Sequence, residues 1–225
     1  MTQGISEIDK SIAELSQKYS INKEVFMLAK ELYADLPYHN FEHALETMNY
    51  GYDLIERCKN YNISVDEQVV GYALLFHDAG YHKDQEAKGF ETKEAYATSL
   101  AEGAMNSLGI DESLIKKTNK SIMATFYKND PESVEEKIVR AADLRGLMGS
   151  YENFKKNSLK LKKEKEFLTG KEQSQKAWVG EVKKIISHYL SQDIKLTPEH
   201  DQDGMSEFHT NAENNLKKFL QEYTR

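Results

Sequence analysis

Apolar residues return every three or four positions along almost the whole of this chain, and only three prolines (Pro37, Pro131 and Pro198) stand in its 225 residues. Such spacing lays an apolar stripe down one side of a helix. A chain so poor in proline has few points at which a helix must break. Ile5, Ile8, Ile12, Leu15 and Tyr19 form one stripe, and Val25, Leu28, Ala29, Leu32 and Leu36 form a second, with Asn22 as its N-cap. Pro37 marks a break, and a third helix is expected from near Asn40 to near Asn60.

Ser64-Val65-Asp66-Glu67 has the spacing of a capping box, in which Ser64 and Glu67 satisfy each other's free backbone amides. It opens the most apolar segment of the chain, Val69 to Phe76, expected as the buried centre. The polar stretch from Gly80 to Phe90 reads as a loop. Helices follow over 91–108 and, after the N-cap candidate Asp111, over 113–128. Pro131 suits the first turn of a helix over 132–147. A lysine-rich helix is expected over 152–168, then a stripe of Trp178, Val182, Ile185, Ile186 and Leu190. Beyond a loop at Thr197–Gly204, a last helix carries Phe208, Ala212, Leu216 and Leu220. Strand alternation, internal repeats and low-complexity linkers are missing. The expectation is an all-α single domain over 1–225, with a helical core at about 22–150 and a C-terminal helical layer at about 151–225.

Apolar residues make up 39 % of the chain, enough for a core, which excludes a wholly disordered polymer. The net charge of −7 argues against a generic nucleic-acid binder. The six lysines from Lys155 to Lys165, with Glu164 among them and Glu166 following, read as a solvated helix face. Cys58 has no partner for a disulfide and reads as a small buried apolar residue. No signal pattern and no run of the ~18 apolar residues a membrane helix needs are present, so a cytoplasmic protein without membrane contact is expected. Helix faces that close a core look the same as those that close a dimer, so a homodimer fits the pattern too.

The histidines carry the chemistry. Tyr38-His39-Asn40-Phe41-Glu42-His43 sets His39 and His43 four apart, one turn from each other on a helix. Phe76-His77-Asp78-Ala79-Gly80-Tyr81 ends the most apolar helix on an adjacent imidazole and carboxylate. Asp143 lies inside an otherwise apolar helical face, where a carboxylate is costly unless it is paired or binds a metal. Two imidazoles and two carboxylates make a mixed donor set for Mn²⁺, Mg²⁺, Fe²⁺, Co²⁺, Ni²⁺ or Zn²⁺. Alone, each fragment has a bland reading as a structural or solvated group; the force lies in their order, spacing and apolar settings.

The ordered set His43, His77-Asp78 and Asp143 resembles the H…HD…D signature of the HD superfamily of metal-dependent phosphohydrolases. Tyr38-His39-Asn40 with His43 is similar to the Y-H-N-x-x-x-H run of cyclic-nucleotide phosphodiesterases and related small bacterial members. Phe76 to Tyr81 resembles the F-H-D-A-x-Y stretch of predicted HD phosphohydrolases. Where those proteins continue with N-E-x-x-S-A, this chain has Lys93-Glu94-Ala95-Tyr96-Ala97-Thr98, which keeps Glu94 but replaces Asn by Lys93 and Ser by Ala97. Ala212-Glu213-Asn214-Asn215-Leu216 resembles the A-x-x-N-L ending of the same group. The likeness spans about residues 25–220.

The resemblance implies an HD-domain bundle in which His43, His77, Asp78 and Asp143 ligate one or two divalent ions, with Asp78 as the bridge where the site is binuclear. It implies that His39 protonates the leaving oxygen and that Glu94 orients His39 or a water. The implied reaction is hydrolysis of a phosphoester, by metal-activated water, in a nucleotide or other small phosphorylated metabolite. Two alternatives are a non-catalytic, metal-stabilised nucleotide-binding or regulatory module and an HD-fold di-iron oxygenase, with His82 or His39 as extra ligands. His82 and Lys83 are also candidates for a substrate phosphate, and Lys128 and Arg140 for an anion pocket. Arg145 reads as a surface or salt-bridge residue, and His188, His200 and His209 as surface or core histidines.

Overall fold

A computed structural model describes residues 6–192, 196 and 206–223. Among the described residues there are ten α-helices, one 3-10 turn and no strand, an all-helical fold. The chain divides into two compact units, residues 1–143 and 144–225.

The first unit holds α1 (Glu7–Tyr19), α2 (Lys23–Glu31), α3 (Phe41–Asn60), α4 (Glu67–Phe76), α5 (Lys93–Ser107), α6 (Glu112–Met123) and α7 (Val134–Asp143). Helix α4 is its axis: every residue from Val69 to Phe76 is buried, and α3, α6 and α7 pack around it. A helix that is apolar all round has no face to offer water, so it must be enclosed. Close approach is built in at Gly71, where a Cβ would stand 2.6 Å from the Tyr19 ring. Tyr19 lies in that space and donates its hydroxyl to Met48 O at 2.6 Å, tying α1 to α3.

Several helix ends differ from the sequence reading. Helix α2 stops at Glu31 with Leu32 as C-cap, well before Pro37. Helix α4 is capped by Asp66, which accepts from Val69 N, and not by the Ser64–Glu67 box. Here Glu135 on α7 takes the Asp66 amide at 2.9 Å, so a tertiary contact replaces the local one. Helix α6 ends at Met123, and α7 begins at Val134, beyond Pro131. Asn22, Asp111 and Asn40 cap α2, α6 and α3. Ile5, His200 and the loop Thr197–Gly204 lie outside the described residues.

The second unit contains the 3-10 turn Leu144–Leu147, α8 (Tyr151–Thr169), α9 (Gln175–Leu190) and α10 (Glu207–Tyr223). Phe154, Trp178, Val182, Ile186, Leu216 and Phe219 form its core. Trp178 Nε1 donates to Ser158 Oγ at 2.9 Å, which satisfies a buried indole. Ile185, expected in the stripe of α9, is 45 % exposed. The lysine run on α8 is laced with ion pairs, Lys155 with Glu222, Lys162 with Glu166 and Lys165 with Glu181. No helix among the described residues is long and apolar enough to cross a membrane.

Candidate metal centre

His43 sits in the first turn of α3. Asn40 caps that helix by accepting from His43 N at 3.0 Å, while its own amide donates to Leu36 O at 2.8 Å. The capping residue therefore fixes both the approach of the chain and the turn that carries the imidazole. His77 follows the last residue of α4. Its Nδ1 lies 2.8 Å from Leu74 O. A carbonyl can only accept, so Nδ1 carries a proton, and in the neutral ring it is Nε2 that keeps its lone pair for a metal. Asp78 is the next residue, and Asp143 is the last of α7.

The four side chains converge. His77 Nε2 is 3.0 Å from Asp78 Oδ2 and 3.5 Å from Asp143 Oδ1. His43 Nε2 is 3.6 Å from Asp78 Oδ2 and 3.7 Å from Asp143 Oδ1. One ligand atom each from His43, His77 and Asp143 fits within 4.8 Å. Metal–ligand bonds of about 2.0–2.2 Å put neighbouring donors roughly 3.0–3.6 Å apart, close to these separations. Moreover, His43 Nε2, His77 Nε2 and Asp78 Oδ2 are buried without a hydrogen-bond partner. The 3.0 Å approach of His77 to Asp78 is thus misaligned for a hydrogen bond, and the two atoms lie side by side. Buried polar atoms left unpaired are costly, and a divalent cation among them would satisfy all three. The residues present fit such an ion.

Without the ion the site carries its own charge balance. Burial opposes ionisation of Asp143, but the imidazoles of His43 and His77 outweigh it and hold the carboxyl below the usual range. At Asp78 burial is likewise outweighed, by His77 first and then by His39. Burial opposes protonation of His77, yet the carboxylates of Asp78 and Asp143 push its pKa well above the ordinary value.

His39 stands at the rim and precedes α3, so its nearness to His43 comes from a turn and not from a shared helical face. Its ring stacks on Tyr81, with centroids 3.8 Å apart and 20° between planes, and meets His43 edge-on at 5.9 Å. Glu94, in the first turn of α5, is half-buried. Burial raises its pKa, backbone and Thr92 hydrogen bonds counter this, and the fields of Asp78 and Asp143 add to the rise.

Three further residues shape the site. The Tyr33 hydroxyl donates to Leu75 O at 2.9 Å, bracing the end of α4 beneath Asp78. Gly80 adopts φ +73°, and a Cβ there would meet Leu100 at 2.6 Å, so the chain leaves Asp78 through a turn that only glycine suits. Lys93 reaches back to the turn at Tyr81. The glycine was visible in the sequence; the tyrosine and lysine contacts are tertiary and left no local signal.

Other candidates lie elsewhere. His82 is outside the donor cluster, and burial with Lys83 and Lys93 nearby lowers its pKa. Neither it nor His39 joins the four converging side chains. Arg140 is fully buried and donates to the carbonyls of Ala124, Phe126 and Asn129, holding the α6–α7 loop in place of binding an anion. His209 is buried and hydrogen-bonded to Ser206, while His188 is half-buried. Cys58 is fully buried.

Solved structures share this architecture. The phosphodiesterase domain of Salpingoeca rosetta rhodopsin phosphodiesterase matches 97 % of this chain and 89 % of its own, with a TM-score of 0.71 and 14 % identity. The fold is that of a phosphodiesterase domain. A second structure, the phosphodiesterase domain of the RhoPDE fusion protein from the same choanoflagellate, gives a TM-score of 0.67 at 16 % identity over 96 % and 91 % of the two chains. LmjPDEB1 in complex with IBMX gives 0.62 at 13 % identity over 95 % and 87 %. No protein-family model and no curated protein sequence matches the chain. In the phosphodiesterase-domain fold seen here, the donor cluster falls where α3, α4 and α7 meet.

Proposed function

We propose that this chain is a divalent-metal-dependent phosphohydrolase, cleaving a phosphoester of a nucleotide or another small phosphorylated metabolite. The observation that carries the reading is the convergence of His43 Nε2, His77 Nε2 and Asp78 Oδ2, buried and unpaired, beside Asp143 in a phosphodiesterase-domain fold. His43, His77, Asp78 and Asp143 would hold the ion. A divalent ion in such a donor set acidifies bound water and polarises a phosphoryl oxygen.

The rest of the chemistry belongs to the chain. In the proposed step a P–O bond to the water oxygen forms as the water gives up a proton. The bond to the leaving oxygen breaks, and that oxygen takes a proton from His39, which the proton given up by the water replaces before the next turnover. An imidazole suits this work because its ordinary pKa of about 6.5 lets it hold and release a proton near neutrality. His39 lies on the rim beside His43, close enough to Asp78 to favour its ionised form. Glu94, whose carboxyl pKa burial pushes up, would orient His39 or the attacking water. The names of the structural neighbours favour a phosphodiester over a monoester.

The test is product release from a panel of nucleotides, cyclic nucleotides and generic phosphodiesters with Mn²⁺, Mg²⁺, Co²⁺, Ni²⁺, Fe²⁺ or Zn²⁺. Release that depends on the metal and vanishes in Asp143→Ala is the expected result. Silence across the panel, with metal shown bound, would overturn the reading in favour of a metal-stabilised binding module.

A further inference from the structure

Lys93 opens α5, a poor place for a cation, because the positive end of the helix dipole lies there. Its ammonium is compensated from outside the helix. Nζ donates to Tyr81 O at 2.7 Å and also to the Lys83 carbonyl, and it stands 5.2 Å from the centre of the Tyr81 ring. One side chain thereby cross-links a turn that has no helix of its own between α4 and α5.

That turn carries the surface on which His39 lies. The Tyr81 ring stacks face to face on the His39 imidazole, while Tyr38 meets the imidazole edge-on at 4.9 Å. Rotating the imidazole about its bond to Cβ would drive it into the Tyr81 face. The plane in which His39 presents its nitrogens is therefore set by where Tyr81 sits. Tyr81 in turn is held at both ends of its backbone, its amide donating to Asp78 O at 3.1 Å and its carbonyl accepting from Lys93.

We propose that Lys93 is a positioning residue for His39, acting through Tyr81 and not through the metal ligands. The geometric part stands by itself; its consequence for turnover rests on the function proposed above. A side chain of this length is needed because two carbonyls of one turn must be reached from the next helix. Arginine keeps the charge and the reach toward the two carbonyls, whereas alanine and methionine offer them no donor.

The test uses the full chain with labelled histidine, in which the His39 ring signals are assigned as those that His39→Gln removes. The Tyr81 face should shift these signals upfield, and Tyr81→Leu should abolish the shift. Lys93→Ala should move or broaden them, and Lys93→Arg should keep them in place. With a cyclic nucleotide, whose alkoxide leaving group needs the proton, and Mn²⁺, Lys93→Ala should lower kcat about ten-fold with KM within about two-fold, and Lys93→Arg should recover most of the loss. Lys93→Met, which keeps the packing of the stem, takes the place of the alanine variant if that one fails to fold.

His39 signals unmoved by loss of the Lys93 ammonium would overturn the proposal. So would a fall of about ten-fold or more in Mn²⁺ affinity, which would assign the lysine to the metal ligands instead. A wild-type protein that hydrolyses nothing would overturn the phosphohydrolase reading, and the ring signals would then decide the positioning role alone.

Discussion

His77 presents Nε2 to Asp143 Oδ1 at 3.5 Å across the ends of α4 and α7, while its other nitrogen is bound at 2.8 Å to Leu74 O. The second contact sets the ring and its tautomer, and the first brings a carboxylate from a distant stretch of chain against the open nitrogen. A histidine locked in this way is preorganised for a cation, since little ordering remains to be done when one binds.

Removing either partner should remove the ion. Asp143→Ala and His77→Ala are each expected to weaken Mn²⁺ binding more than about 100-fold, beyond the 10–100-fold typical of residues that only support a ligand. Calorimetric titration gives the affinity, and far-ultraviolet circular dichroism shows whether the helices persist. Full metal occupancy in a folded Asp143→Ala protein would remove Asp143 from the ligand set.

Stability should depend on pH in a way that the metal reverses. In the metal-free protein Asp78 and Asp143 ionise below their unfolded value of about 3.9. Their contribution is present above that pH and is lost as pH falls through the folded values. His77 has a raised pKa, so its contribution is complete below about pH 6.5 and is lost as pH rises through the folded value. The metal-free protein should therefore be most stable between about pH 4 and pH 6.5. Metal needs neutral imidazoles, so the Tm increase given by a fixed excess of Mn²⁺ should grow from about pH 6 to about pH 8. Scanning calorimetry at several pH values tests both trends; a metal effect that shrinks as pH rises would contradict them.

Two glycines should respond to alanine with opposite signs. Gly71→Ala places a methyl group in the Tyr19 ring, and we expect a loss of about 1–3 kcal/mol as the tyrosine is displaced. Gly103 lies exposed inside α5 with nothing near a new Cβ, so Gly103→Ala should gain about 0.5–1 kcal/mol from helix propensity. Urea denaturation midpoints measure both. Equal effects would mean that the approach of α1 to α4 is looser than the geometry states.

The legible parts of the sequence were those whose physics is local. Val69–Phe76 announces a buried helix because no polar face interrupts it, and His77-Asp78 stands out because two ionisable groups end that apolar run. Asn22 and Asp111 act as caps where their side chains fall just before helical stripes. What the sequence hid depends on partners far along the chain. The Ser64 capping box loses to Asp66 because Glu135 takes the Asp66 amide. Arg140 resembles an anion ligand until its three carbonyl partners are known. His39 and His43 share a helical spacing, yet the helix starts between them, and a turn makes them neighbours.

That placement separates the two histidines in function, and the difference can be measured. His43 is buried with its Nε2 in the donor cluster, whereas His39 is half-buried on the rim and stacked on Tyr81. His43→Ala should therefore lose metal and turnover together. His39→Ala should keep the metal and slow turnover by roughly 10²–10⁴-fold, the usual worth of a general acid. The loss should be largest for substrates with poor leaving groups, which need the proton most, and smallest for a nitrophenolate, which departs without one. Steady-state kinetics on a pair of phosphodiesters differing only in leaving-group pKa distinguishes the two outcomes. An equal loss for both would make His39 a substrate-binding group, and no loss would exclude it from the reaction.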